Sequence, residues 1–202
     1  MASRKIRLVV LDMGGTLWEE VPDERAVLRP SSNGRAKDDV FYRIDSRHMY
    51  RYEGVSNRLL PGVRKLFDEL YRRSTCVSIN SLNTPHAWRW IESDFYNLNR
   101  DGFVKHSRIG EHPDEAQREE SDKTDIKGIW TQEIIDEWNA NECRPKPIEY
   151  RDVLFVDDSE WNHRAVRRVC PGVHCAFPPI SGANGMLDLL QIIDHTENWS
   201  QR

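Results

Sequence analysis

The sequence predicts an α/β protein built on a doubly wound parallel sheet, the Rossmann-like arrangement. Three observations carry that reading. Short apolar runs of strand type alternate along the chain with stretches of helical periodicity, as successive βαβ units require. The first clear run, ending in Leu8-Val9-Val10-Leu11, hands over directly to Asp12 and a Gly14-Gly15 turn. The most apolar later run, Asp152–Val156, ends in the acidic pair Asp157-Asp158. In open parallel sheets the crevice beyond the carboxyl ends of the strands is where ligands bind.

A first strand is expected at Ile6–Leu11. Between Trp18 and Leu60 the chain is irregular, with an Asn33-Gly34 step and the aromatic-bearing stretches Val40–Ile44 and Tyr50–Tyr52. Such a step beside alternating runs predicts a β-hairpin. Residues 19–57 therefore read as an inserted flap or minimal cap on a single domain covering 1–202. Pro61 opens a helix with Val63, Leu66, Phe67 and Leu70 on one face. A second strand at Thr75–Asn80 precedes a helix capped by Thr84, started by Pro85 and running to Phe95. A third short strand is expected at Phe103–Ser107. Glu111–Asp122 is acidic and reads as a solvated loop or lid. A helix over Ile126–Trp138 takes Thr124 or Asp125 as its N-cap. The strand at 152–156 is followed by a helix over Glu160–Val169, a strand at Val173–Phe177 and a terminal helix over Met186–Ile193.

The 202 residues are enough for one sizeable domain with a small insertion. A net charge of −4 gives no general attraction to nucleic acid or to anionic membranes, and neither is an expected partner. No apolar run approaches the length of a bilayer span. No signal-type apolar core precedes the first strand, so a cytoplasmic location is expected. Oligomeric state is not legible. Cys76, Cys143, Cys170 and Cys175 lack metal-site spacing. Free thiols are the expectation for them, with a Cys170–Cys175 disulfide as the alternative. His86, His106, His163 and His174 fit no zinc spacing and read as surface or packing residues. Trp88, Trp130 and Trp138 sit at helical spacing among apolar neighbours and read as core, whereas Trp18 could wall a pocket. Arg43, Arg47, His48, Tyr50, Arg51 and Tyr52 form a basic, aromatic segment, either a solvated hairpin or a flap touching an anionic group.

Wound as a parallel sheet, the chain brings together Asp12 and Thr16 after the first strand and Asn80-Ser81 after the second. Asp157-Asp158 and a lysine, Lys123 or Lys127, join them. That set suits phosphoryl transfer. A carboxylate can attack phosphorus, and further carboxylates with a backbone carbonyl can hold the hard cation Mg²⁺. A lysine and a small donor can neutralise the phosphoryl oxygens, as can the amides around Gly14-Gly15.

These residues resemble the motifs of the haloacid-dehalogenase-like hydrolase superfamily, in its magnesium-dependent phosphatase branch. The likeness rests on Leu11-Asp12-Met13-Gly14-Gly15-Thr16-Leu17-Trp18, on Asn80-Ser81 with Pro85 beyond, and on Asp157-Asp158-Ser159-Glu160-Trp161-Asn162. The helix start at Leu59-Leu60-Pro61-Gly62-Val63 also matches. It implies a phosphomonoester hydrolase with Asp12 as nucleophile, acting on a phosphorylated small molecule or a phosphoprotein. Mg²⁺ would be held by Asp12, the Gly14 carbonyl, Asp157 and Asp158. Gly15 and Thr16 would shape the phosphate loop, Asn80 or Ser81 would bind the phosphoryl group, and Asn162 would brace the site. Lys123 is preferred over Lys127 as the charge-stabilising lysine, because Lys123-Thr124 sits just ahead of the expected helix. One departure stands out: the family's acid/base aspartate, two residues past the nucleophile, is Gly14 here. Glu19 and Glu20, close to it in the chain, are the candidates to replace it. A catalytically impaired module that binds phosphate or phosphoprotein is the alternative. Dehalogenase chemistry fits less well, since it has no use for the Asp157-Asp158 pair.

Overall fold

A computed structural model of the chain describes residues 5–22, 48–52, 55–82, 97–110, 120–143 and 146–199. Five parallel strands form its centre: β1 (Leu8–Leu11), β5 (Cys76–Leu82), β6 (Arg108–Gly110), β7 (Val153–Val156) and β8 (His174–Ala176). Their order is β6-β5-β1-β7-β8. The chain leaves β1 toward β5 and β6, then returns to the other side of β1 for β7 and β8. That reversal makes the β1 end a topological switch point, where a parallel sheet opens a crevice.

Period-two alternation along the strands explains the layers. Val9 and Leu11, Val77 and Ile79, and Leu154 and Val156 enter one core, with Val63, Leu66, Phe67 and Leu70 of helix α1 (Val63–Arg72). Met186, Leu189 and Ile193 close that side from a 3₁₀ turn and the terminal helix (Leu189–Trp199). Leu8, Val10, Val153 and Phe155 enter the other core, against Ile134, Ile135 and Trp138 of a helix over Glu120–Asn141, here α2, and Val166 of one over Glu160–Val169, here α3. A strand buried on both faces is the mark of a parallel sheet between helical layers. The terminal helix is α4.

Gly62 fixes one end of this arrangement. Its φ is +82°, and a Cβ there would fall 2.3 Å from the Asn184 carbonyl oxygen. The bare backbone lets the segment before α1 lie against the 3₁₀ turn, where the Met186 amide donates to the Pro61 carbonyl at 2.8 Å.

The expected insertion grows straight out of the first motif. Strands β2 (Trp18–Pro22), β3 (His48–Tyr52) and β4 (Val55–Leu59) form an antiparallel sheet in the order β2-β4-β3. The expected strand at Val40–Ile44 and the helix after Thr84-Pro85 lie outside the described residues. Trp18 lines none of the cavities described among the described residues. It is 1% exposed, within the α1-side core, because it opens β2 opposite Leu59.

Two element boundaries differ from expectation. The edge strand lies at Arg108–Gly110 rather than Phe103–Ser107, with Val104 making only a lone bridge to Val77. His106 has φ +52°, a turn conformation that breaks the extended run. The helix before β7 starts at Glu120, so Thr124 and Asp125 lie within it rather than at its N-terminus. The end of the acidic stretch read as a loop is thus helical, as suits negative charge at a helix N-terminus. All four cysteines are free thiols, and the Cys170–Cys175 disulfide is not formed. No helix among the described residues is long and apolar enough to cross a membrane.

Candidate functional site

Strand register builds the site. Leu11 is level with Ile79 on one side and Val156 on the other. The next residues along, Asp12 and Asp157 just past their strands and Asn80 within the longer β5, therefore stand in one row. The Asp12 amide donates to the Val156 carbonyl at 2.9 Å and ties the row together.

Lys127, on α2, enters that row from the side and is 2% exposed. Its ammonium stands 2.6 Å from Asp12 Oδ1 and 3.2 Å from Asp157 Oδ2. It also donates to the Asn80 backbone carbonyl. The Ser81 side chain lies beside the Asp12 carboxylate and favours its charged form. Asp157 is fully buried and over-determined: the Ser159 amide donates to Oδ1 at 2.9 Å, and Asn162 Nδ2 donates to both oxygens at 2.9 and 3.0 Å. Asn162, in the first turn of α3, thus acts on the carboxylate and braces it.

Carboxylate oxygens of Asp12, Asp157 and Asp158 all lie within 4.8 Å of one another. Burial pushes the Asp12 carboxyl above its ordinary value; the Lys127 ammonium opposes the rise and the Asp157 charge adds to it. Burial first, and the Asp157 charge second, also raise Asp158. Among the described residues, three carboxylates face a single ammonium, which leaves negative charge that a divalent hard cation with oxygen ligands would neutralise. The donor set fits Mg²⁺.

The Gly14-Gly15 turn is asymmetric. Gly15 has φ +70°, and a Cβ on it would come 2.2 Å from Asp158 Oδ2; the acidic side chain reaches the cluster across bare backbone. Beside Gly14 there is open space, with no atom within 4 Å of a Cβ built there. Thr16 is fully buried below the turn, its amide donating to the Met13 carbonyl at 3.2 Å and its hydroxyl without a partner in the structure.

Of the two residues expected to bind a phosphoryl group, only Ser81 turns its side chain to Asp12. Asn80 shares the strand face of Ser78 and points to α2, where its Nδ2 donates to the Lys127 carbonyl at 2.8 Å and to Thr131 Oγ1 at 2.9 Å. Of the two lysines, Lys127 is in the cluster; the side chain of Lys123, preferred from motif order, lies outside the described residues. Glu19 is held in an ion pair with Arg58 across the small sheet, so its carboxylate is engaged there. Thr131 was missed from the sequence, and a signal was present. Lys127, Thr131, Ile134 and Trp138 recur at helical spacing, so a lysine and a threonine sit in phase with the apolar face.

The fold and this site define an α/β protein with a buried carboxylate–lysine centre at a sheet switch point. In structure, the chain is similar to the N-terminal part of the protein BF1531 from Bacteroides fragilis, whose crystal structure contains a phosphatase domain complexed with Mg. The TM-score is 0.52 at 14% identity, covering 96% of this chain and 40% of that one. The chain therefore spans less than half the length of that protein, and the likeness is one of fold. No family model matches the sequence, and no curated protein matches it either.

Proposed function

We propose that this chain is a Mg²⁺-dependent phosphomonoester hydrolase of the haloacid-dehalogenase-like type, working through an aspartyl-phosphate on Asp12. The observation that carries the reading is the buried Lys127 ammonium bridging Asp12 and Asp157, with Asp158 beside them. A likeness of fold to a phosphatase domain crystallised with Mg agrees with it. The substrate would be a phosphorylated small molecule or a phosphoprotein.

Asp12, Asp157, Asp158 and the Gly14 carbonyl would hold the ion, which when bound neutralises charge on the phosphoryl oxygens. Asp12 attacks phosphorus through a carboxylate oxygen, and the bond from phosphorus to the leaving oxygen breaks with its electron pair. Ser81 and Lys127 orient the nucleophile, and Lys127 supplies positive charge as the phosphoryl group shifts. Water then attacks the aspartyl-phosphate, releasing inorganic phosphate and restoring the Asp12 carboxylate. The departing oxygen takes its proton from solvent, since Gly14 offers none. That favours substrates with good leaving groups, because acid assistance contributes roughly 10²–10⁴-fold.

The glycine also favours a second reading, a module of this fold that captures phosphate without turnover. p-Nitrophenyl phosphate hydrolysis with and without Mg²⁺ separates them. Metal-dependent turnover that disappears in Asp12→Asn supports the enzyme. Phosphate binding without any such turnover would falsify it in favour of the module.

A further inference from the structure

The opposite end of the sheet holds a second chemical feature. Cys76 opens β5, and Cys143 follows the last turn of α2. Both thiols line one cavity of about 310 Å³, together with Thr75 and the cationic residues Lys5, Arg7 and Lys146. Both are partly exposed, and both pack against the same edge of the α2-side core. Thr75 Oγ1, in the cavity wall, is buried without a hydrogen-bond partner, so the pocket is polar and unfilled by the protein itself.

We propose that Cys76 and Cys143 form a reactive dithiol that closes to a reversible disulfide by exchange with a small disulfide such as oxidised glutathione. The cavity brings both thiols to one opening, which Lys5, Arg7 and Lys146 line together with Glu142. Burial, and next the nearby Cys143 thiol, push Cys76 up to about 11. We assign the first attack to Cys143 and the resolving attack to Cys76. The Cys143 thiolate takes one sulfur of the reagent and expels the other as a thiolate, leaving a mixed disulfide. Cys76 then attacks the Cys143 sulfur and expels the second glutathione thiolate. Two protein thiols are oxidised, one disulfide reagent is reduced to two thiols, and the two protons pass to the released thiolates.

Cys170 and Cys175 offer a contrast within the same chain. Cys170 is buried and donates to the Gly128 carbonyl at 3.7 Å and to Gln132 Oε1 at 3.8 Å. Cys175 donates to the carbonyls of His163 and Val173, each at 3.9 Å. Neither lines a cavity with the other among the described residues.

The full-length chain is incubated with oxidised glutathione at pH 8 and mapped by mass spectrometry without reduction. The expected product has lost two hydrogens, retains no glutathione, links the Cys76 and Cys143 peptides, and reverts with dithiothreitol. The oxidised protein melts at a higher temperature than the reduced one, because the bond closes a long chain loop. Cys76→Ser and Cys143→Ser each abolish the link while keeping the reduced-state circular dichroism, and Cys170→Ser and Cys175→Ser leave it in place. Retained glutathione on either thiol, a link through Cys170 or Cys175, or no reaction over the reagent range that oxidises the same chain in urea would overturn the proposal.

Discussion

Gly14 and Gly15 stand side by side after β1, yet they tolerate different changes. Gly15→Ala must place a Cβ on Asp158 in a left-handed backbone that costs a non-glycine residue about 1–2 kcal/mol. The expected outcome is a destabilisation of at least that size in urea, with weakened Mg²⁺ binding by titration calorimetry. Gly14→Ala meets open space and should fall within about 0.5 kcal/mol of the parent. The same space admits Gly14→Asp, which should speed hydrolysis of alkyl phosphates more than of p-nitrophenyl phosphate. Equal effects on both would mean that leaving-group protonation is not what Gly14 withholds. At Lys127 the stakes are larger. Lys127→Met leaves Asp12 and Asp157 facing each other without a counter-charge. Breaking a buried ion pair from one side costs about 3–5 kcal/mol, so a metal-free variant should unfold early in urea and recover part of the loss with millimolar Mg²⁺. An unchanged urea midpoint would show that the ammonium does not balance these acids.

Helix α2 joins the site to the core, and Trp138 gives it a polar contact at the centre of the α2-side layer. Ser78 sits in mid-strand on β5, fully buried, its hydroxyl donating to the Lys105 carbonyl at 2.6 Å and accepting from Trp138 Nε1 at 2.8 Å. Trp138→Phe removes that donor while keeping most of the ring. It should cost about 0.5–1.5 kcal/mol in thermal or urea unfolding. Because β5 also carries Ser81 and α2 carries Lys127, the variant should raise KM or lower kcat modestly without abolishing activity. The helix's sequence shows why one lysine could not be chosen in advance. Lys123 and Lys127 are both in phase with Thr131, Ile134 and Trp138, so periodicity puts either on the buried face. Which turn stands level with the strand ends depends on where the helix begins, and it begins six residues ahead of the apolar pattern, at Glu120.

At the scale of the molecule, three thiols give a pH signature. Burial pushes Cys170 up to about 12, and Cys76 and Cys175 up to about 11, from an ordinary value of 9.0. An acid held protonated by folding contributes stability that is complete below its unfolded value. That contribution is lost as pH rises through the folded one, since the unfolded chain binds fewer protons there. The urea midpoint should therefore decline between about pH 9 and 11, and serine in place of Cys170 should flatten the decline. Iodoacetamide at pH 8 should leave Cys170 unmodified in the folded chain and alkylate it in urea; rapid modification without denaturant would contradict the burial on which this rests.

Composition and local order alone were enough to specify the layered α/β fold, the order of its acidic turns, and the three acids, Asp12, Asp157 and Asp158, that gather beyond its strand ends. Those features are written in short-range patterns: period two in strands, period 3.6 in helices, and acidic residues at the turns that follow. The choice of Ser81 over Asn80 beside Asp12, the burial of Trp18 and the entry of Lys127 into the cluster were decided only by assembly. Each depends on register and on the height at which one element meets another across the sheet, distances that no local pattern encodes.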